Sequence, residues 1–123
     1  MARFSEDECT QAGDIPSRRS QRLPRRIPSL EQIRGPGSPH SYPVKSRSLL
    51  IGRSEQTDIS IESATLSRHH LRLLERDGEY SFVDLDSANG VYLNGVLAHA
   101  AVLRDGDVLE FGEVAFIFHE RGQ

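Results

Sequence analysis

The chain has 123 residues, 37% of them hydrophobic, a net charge of -3 and a single cysteine, Cys9. That length suits one domain with a sizeable core, and one cysteine excludes an internal disulfide. No apolar run suits a membrane span or a signal peptide, so we expect a cytoplasmic protein, and its negative charge disfavours nucleic-acid binding through a bulk positive field.

Residues 1–26 predict a flexible, Arg/Ser-rich tail. They contain no apolar periodicity of 2 or 3.6 residues, so they cannot bury enough surface to offset the entropy lost on ordering. Acidic residues surround Thr10, the only threonine before the domain, which makes it a candidate phosphorylation site. The basic stretch Arg18–Arg26 follows and could contact an acidic partner.

Residues 27–120 predict an all-β domain. Apolar residues alternate at period two in nearly every run, and no window keeps the helical spacing. The predicted strands centre on Tyr42-Pro43-Val44, Leu49-Leu50-Ile51, Ile59-Ser60-Ile61, Leu71–Leu73, Tyr80–Leu85, Val91–Leu93, Val108–Phe111 and Val114–Phe118. Dipeptides that favour tight hairpin turns separate several runs: Asp77-Gly78, Asn94-Gly95 and Asp105-Gly106. Many short strands at this spacing are typical of a sandwich or a barrel.

Two local features refine this expectation. Pro43 lacks an N–H, so the strand that contains Tyr42 should lie at the edge of a sheet. The doublets Leu73-Leu74 and Phe82-Val83 break strict alternation. They predict either β-bulges or strands that are covered on both faces.

Three polar clusters stand between the predicted strands. They are Gly52-Arg53, then Ser67-Arg68-His69-His70, then Ser87-Ala88-Asn89-Gly90 followed by a second Asn-Gly pair at Asn94. In this order and at these intervals, the chain resembles a forkhead-associated (FHA) domain over roughly residues 27–120. That resemblance implies an antiparallel β-sandwich that recognises phosphothreonine in partner proteins.

The resemblance implies a phosphothreonine-binding site made of Arg53, Ser67, Arg68 and Asn89. In the family, the matching arginine and serine contact the phosphate, the residue after the serine often adds a contact, and the asparagine bonds the ligand backbone. The chemistry agrees with these roles. An arginine fork suits phosphate oxygens, and a carboxamide offers both the donor and the acceptor that a peptide bond needs.

Other matched positions have an architectural role in the family and should support the site: Gly52, His70, Gly90 and Asn94. Two positions depart from the family pattern, because Ala88 and Val91 stand where a hydroxyl residue is common. The missing hydroxyl at Ala88 removes one polar contact near the phosphate, which Arg68 could offset.

Catalytic and metal-binding interpretations have less support. His69 and His70 are adjacent, but no other histidine or cysteine completes a ligand spacing, so we expect no metal. The aspartates before glycine are ordinary turn residues. No nucleophile and base, and no glycine-rich nucleotide loop, stand at a recognisable spacing, so we expect neither an enzyme nor a bound cofactor.

We therefore predict a phosphothreonine-dependent interaction module in Ser/Thr kinase signalling. Its partners would be a kinase and a phosphorylated protein, and phosphorylated Thr10 of the same or another copy is a candidate ligand. Residues 121–123 suggest a boundary within a larger signalling protein, such as a diguanylate cyclase, a kinase or a transcription factor. The alternative is an adaptor whose basic tail, Arg18–Arg26, binds nucleic acid or an acidic partner.

Overall fold

The computed structural model describes residues 27–121. The predicted tail, with Thr10 and Arg18–Arg26, lies outside the described residues, as do residues 122 and 123. The described part contains eleven strands: β1 (Ser29–Arg34), β2 (His40–Pro43), β3 (Ser48–Gly52), β4 (Ile59–Ser60), β5 (Leu71–Arg76), β6 (Glu79–Asp84), β7 (Tyr92–Leu93), β8 (Val96–Leu97), β9 (Ala100–Leu103), β10 (Val108–Phe111) and β11 (Val114–His119). It contains no helix, and hence none long and apolar enough to cross a membrane.

The strands form two sheets. One has six strands in the order β2-β1-β11-β10-β7-β8, and the other has five in the order β4-β3-β5-β6-β9. This confirms the predicted all-β sandwich. Neighbouring strands pair antiparallel except β3 and β4, which are parallel, with Ile51 opposite Ile59. The short β4 reaches this position because the chain crosses over after β3 instead of making a hairpin.

The core lies between the two sheets. Alternate residues of β3, β5 and β10 are buried, as the period-two pattern predicts. Four phenylalanines are almost fully buried, namely Phe82, Phe111, Phe116 and Phe118. Phe111 and Phe116 stack with ring centroids 5.7 Å apart. This aromatic layer gives the small sandwich a close-packed centre.

Strand β2 lies at the edge of the six-stranded sheet, which confirms the position inferred from Pro43. Tyr42 of the same strand pairs with Leu30 and packs towards Phe116, and burial raises the pKa of the Tyr42 hydroxyl. The sequence did not predict β1, β8 or β9 as strands. Strand β9 is alanine-rich, and alanine has a low strand propensity, so its assignment depends on pairing with β6.

The predicted turns are mostly correct. Asp77, Gly78, Asn94 and Gly95 all have positive φ, and they join β5 to β6 and β7 to β8 as tight hairpins. The hairpin predicted at Asp105-Gly106 is wrong. Gly106 has φ 87°, but this turn joins β9 to β10, which lie in different sheets.

The bulge expected at the apolar doublets is also wrong. Strands β5 and β6 pair in unbroken register, with Leu73 opposite Phe82 and Leu74 opposite Ser81. The second residue of each doublet points outward, and Leu74 is 38% exposed, so the strands are not fully covered on both faces. The register shift lies instead in β1, between Gln32 and Arg34.

Asn94 provides a test of what stabilises the β7–β8 turn. Its Nδ2 donates to Asp107 at 3.0 Å, its Oδ1 accepts from the Val108 N–H at 2.9 Å, and its φ is 51°. We expect Asn94→Gly to lower the free energy of unfolding by about 1–2 kcal/mol, because the hydrogen bonds are lost while the backbone stays relaxed. Asn94→Ala should cost about 1 kcal/mol more, since alanine adds left-handed strain.

Urea denaturation of both variants measures these effects. Asp77→Ala is the matched control, because Asp77 has φ 53° without a described side-chain hydrogen bond. It should show the strain alone, about 1 kcal/mol. If Asn94→Gly had the same free energy of unfolding as the parent chain, the side-chain hydrogen bonds of Asn94 would not stabilise the turn.

Candidate functional site

The four predicted ligand-binding residues lie on three loops at the same end of the five-stranded sheet. Arg53 directly follows β3, Ser67 and Arg68 precede β5, and Asn89 follows β6. Strand β5 lies between β3 and β6 and runs antiparallel to both. The end of β3, the start of β5 and the end of β6 are therefore neighbours, and topology alone brings the three loops together.

Backbone hydrogen bonds join the first two loops. The Arg53 N–H donates to the Ser67 carbonyl at 3.0 Å, and the Ser54 N–H donates to the Arg68 carbonyl at 3.1 Å. The His70 N–H donates to the Ile51 carbonyl at 2.9 Å. These bonds continue the β3–β5 pairing beyond the strands and fix the chain positions of both arginines.

Gly52 is required by this close approach. A Cβ atom at Gly52 would lie 2.1 Å from the carbonyl oxygen of Arg68 and 3.0 Å from the His70 nitrogen. Both contacts involve backbone atoms, which cannot move aside as a flexible side chain could. The glycine beside Arg53 thus lets the Ser67-Arg68 segment lie directly against β3.

Two side-chain hydrogen bonds attach the third loop. The Ser67 Oγ accepts from the Ala88 N–H at 2.9 Å, which leaves the hydroxyl hydrogen available to a ligand. The Asn89 Nδ2 donates to the Thr65 carbonyl at 2.7 Å. One amide hydrogen thereby orients the Asn89 side chain, while its oxygen and its second hydrogen bond no described residue.

The buried side chain of His70 connects the second loop to the third. Its ring is fully buried, Nδ1 accepts from the Ser67 N–H at 3.0 Å, and Nε2 lies 2.9 Å from the Gly90 carbonyl. These partners assign the neutral tautomer with hydrogen on Nε2. The His70 carbonyl also accepts from the Leu85 N–H at 3.0 Å. The ring therefore joins the second loop to the third through its two nitrogens.

The two guanidinium groups differ in how far hydrogen bonds restrict them. The Arg53 Nε donates to the Leu66 carbonyl at 3.2 Å, so its terminal nitrogens remain unengaged by described residues. Arg68 is exposed and makes no side-chain hydrogen bond within residues 27–121. Neither arginine forms an ion pair with a described acidic residue. The charge of both groups is thus accessible to an anion.

The structure brings together Arg53, Ser67, Arg68 and Asn89, with Gly52, His70 and Gly90 beneath them. Asn94 is different, because its amide bonds Asp107 and Val108 and so anchors the β7–β8 turn to β10. In the described residues, no group of three or more His, Cys, Asp or Glu could hold a metal.

Sequence reasoning missed three contributors to this arrangement. The carbonyls of Thr65 and Leu66 orient Asn89 and Arg53, and the Ser87 Oγ accepts from the Gly90 N–H at 2.9 Å. Ser87 could have been found, since it opens the Ser-x-Asn-Gly cluster. The two carbonyls could not have been found, because every residue has a backbone carbonyl and the sequence does not distinguish them.

Comparison with known proteins identifies the family. The FHA domain family model matches residues 49–112, which include all four predicted ligand-binding residues. The chain is 30% identical over 112 residues to the oxoglutarate dehydrogenase inhibitor of Corynebacterium efficiens, covering 90% of this chain and 79% of that protein.

Two solved structures agree in fold and in sequence. EmbR of Mycobacterium tuberculosis, in complex with a low-affinity phosphopeptide, has a TM-score of 0.73 and 30% identity over 80% of this chain and 25% of EmbR. An FHA domain studied for phosphothreonine-dependent interactions has a TM-score of 0.70 and 27% identity, covering 76% of this chain and 95% of that domain. The chain belongs to the FHA domain family.

Proposed function

We propose that this chain is a phosphothreonine-dependent protein-interaction module and that Arg53, Ser67, Arg68 and Asn89 hold the phosphothreonine. The observation that supports this most is the hydrogen bonding that ties their three loops together. The similar solved structures concern a phosphopeptide complex and phosphothreonine-dependent interactions. Binding would connect a Ser/Thr kinase to the protein that carries the phosphate.

The phosphate would be held by donors that are already oriented. A phosphothreonine carries close to two negative charges and three acceptor oxygens. Arg53, fixed through its Nε, directs its terminal nitrogens at this group, and the Ser67 hydroxyl donates a further bond. Each charge-assisted bond contributes about 1.5–3 kcal/mol. Three such bonds approach the roughly 8 kcal/mol of a micromolar complex, before the cost of association.

The other two residues have complementary tasks. Arg68 supplies a second guanidinium and compensates for the hydroxyl that Ala88 lacks. Asn89 uses its free oxygen and its second amide hydrogen to bond the ligand backbone next to the phosphothreonine. Phosphate contacts thus provide most of the affinity, whereas Asn89 fixes the direction of the peptide.

The module acts without catalysis in the cytoplasm, and another domain or protein supplies the output. Its relative in Corynebacterium efficiens is named as an inhibitor, which agrees with a regulatory role. EmbR, of which this chain matches 25%, supports a fused arrangement. The larger protein would be of a signalling class, such as a nucleotide cyclase, a kinase or a transcription factor.

A second function concerns the basic segment Arg18–Arg26, which could bind nucleic acid or an acidic partner. The two functions differ in their response to salt and to phosphorylation. Binding through the segment should weaken linearly with salt on a log-log scale and ignore the phosphate. Binding through the loops should require phosphothreonine.

Arg53→Ala should weaken binding of a phosphothreonine peptide by about 100-fold or more, because at least two charge-assisted bonds are lost. The peptide is selected from an oriented phosphothreonine library, and isothermal calorimetry of the intact chain measures the affinity. Arg53→Lys should lie between the parent and Arg53→Ala, since lysine keeps the charge but loses the planar fork.

Arg76→Ala is the matched control, because Arg76 is an exposed arginine on β5 and should not alter the affinity. Thermal melting must show that all variants fold. Unchanged affinity in a folded Arg53→Ala variant would remove Arg53 from the site. Equal binding of the unphosphorylated peptide would instead favour the basic segment.

The affinity should depend on pH through the ligand. The second proton of the phosphate binds with a pKa near 6, so the dianion predominates above that pH and the monoanion below it. We expect nearly full affinity at pH 7 and a loss of up to about 10-fold by pH 5, because the fraction of the ligand that is a dianion falls. Calorimetry at intervals between pH 5 and 7.5 tests this.

A His69→Gln variant, which removes the exposed imidazole next to Arg68, is the matched control. The same loss of affinity in both proteins would place the effect on the phosphate. A flat profile in the parent chain would argue against a site selective for the dianion.

Phosphorylated Thr10 is proposed as an internal ligand. A random-coil chain with the length of the segment between Thr10 and Ile27 would span about 25 Å on average, which is sufficient to reach a loop of the same domain. Phosphorylation of Thr10 should therefore weaken binding of an external phosphopeptide by about 10-fold or more through competition at high effective concentration. Calorimetry of the chain before and after phosphorylation measures this.

Thr10→Val, treated with the same kinase, is the control and should keep full affinity. NMR should show shifts of the Arg53, Ser67 and Asn89 amides on phosphorylation. If these signals stay in place and external binding is unaffected, Thr10 is not a ligand of this site. Dependence of the shifts on protein concentration would distinguish binding in trans from binding in cis.

A further inference from the structure

An unusually close contact joins the two sheets beside the site. Gly112, in the β10–β11 turn with φ 62°, lies against Thr65 of the loop that precedes β5. A Cβ atom at Gly112 would lie 2.4 Å from the Thr65 Oγ1 and 2.9 Å from its carbonyl oxygen. The six-stranded sheet therefore reaches the site loops at Thr65, with no space for a larger residue.

A hydrogen-bond network holds this contact, and we call Ser63, Thr65, Gly112 and Glu113 the Thr65 clasp. The Glu113 N–H donates to the Thr65 Oγ1 at 3.0 Å, and the Thr65 and Ser63 hydroxyls are 2.7 Å apart. Ser63 in turn donates to the Glu113 carboxylate. With Ser63 donating there, the Thr65 hydroxyl donates to Ser63, so every hydroxyl hydrogen has an acceptor.

The same loop orients two ligand-binding side chains. The Thr65 carbonyl accepts from the Asn89 Nδ2 at 2.7 Å, and the next carbonyl, of Leu66, accepts from the Arg53 Nε at 3.2 Å. Leu66 is itself buried in the core, so its carbonyl has little freedom. Thr65 is half-buried and depends on the clasp for its position.

From this geometry we propose that Thr65 is a positioning residue for ligand binding and that the Gly112-Glu113 turn acts through it. The clasp holds the Thr65 carbonyl, and that carbonyl directs the Asn89 amide at the peptide. This inference rests on the proposed phosphothreonine site and adds to it a contribution from the opposite sheet. The amide must be preoriented, because ordering it during binding costs free energy.

The test compares two substitutions of one residue in the intact chain. Thr65→Val keeps the size and removes the hydroxyl, whereas Thr65→Ser keeps the hydroxyl. We expect Thr65→Val to weaken the library-selected phosphothreonine peptide by about 5-fold, typical of coupled residues in one hydrogen-bond network. Thr65→Ser should bind within about 2-fold of the parent. Gly112→Ala should resemble Thr65→Val, since its Cβ displaces Thr65.

A double-mutant cycle with Asn89→Ala separates positioning from general destabilisation. In the Asn89→Ala background, Thr65→Val should cost less than about 2-fold, because the amide that it orients is absent. Asp77→Ala, which strains a distant turn, should lower the melting temperature without altering the affinity. Additive losses from Thr65→Val and Asn89→Ala would overturn the proposal.

A ligand-free measurement keeps this inference distinct from the proposed function. Thr65→Val should shift the side-chain amide resonances of Asn89 in the unbound chain, and Thr65→Ser should leave them near their parent positions. If the parent chain binds no phosphothreonine peptide, the proposed function fails, and these resonances still decide whether the clasp orients Asn89. Unmoved resonances in Thr65→Val would overturn the clasp.

Discussion

The site depends first on the buried imidazole of His70. One ring nitrogen accepts the Ser67 N–H and the other donates to the Gly90 carbonyl, so one side chain sets the separation of two loops. Both backbone partners would lose their bond if the ring were removed, at about 1–3 kcal/mol for each buried group. The ring also packs against Phe111, with centroids 5.2 Å apart, which connects the loops to the aromatic core.

Above this support, the two arginines should not contribute equally. Binding an arginine restricts a long side chain, at a cost of up to about 2 kcal/mol of rotamer entropy. The Arg53 side chain is already partly restricted in the free protein, because its Nε donates a hydrogen bond to the Leu66 carbonyl. It therefore loses less rotamer entropy on binding. Arg68 has no such bond to a described residue and must be ordered on binding. In the proposed complex, Arg53 would therefore be the principal phosphate contact and Arg68 the auxiliary one.

The sequence allowed prediction of features that depend on side-chain type. Alternation predicted most strands, and Pro43 predicted the edge position of β2. The proposed ligand-binding residues were named from the three motifs that resemble the FHA family, and the chemistry of their guanidinium, hydroxyl and amide groups agrees with that role. Asp105-Gly106 was misassigned because the same dipeptide suits a hairpin and a crossover between sheets. The roles of the Thr65 and Leu66 carbonyls depend on tertiary position, since every residue has a carbonyl.

In the proposed complex, different residues would determine the dependence of binding on the phosphate and the alignment of the peptide. In the proposed complex, an unphosphorylated peptide loses the bonds from Arg53 and Ser67, and at least about 3 kcal/mol, or more than about a hundredfold in affinity, disappears. In that complex, Asn89 would contact the peptide backbone whether or not the phosphate is present. The phosphate contacts would therefore decide whether a peptide binds at all. The orientation of Asn89, which we propose is set from the opposite sheet through Thr65, would decide how well a phosphorylated peptide is aligned.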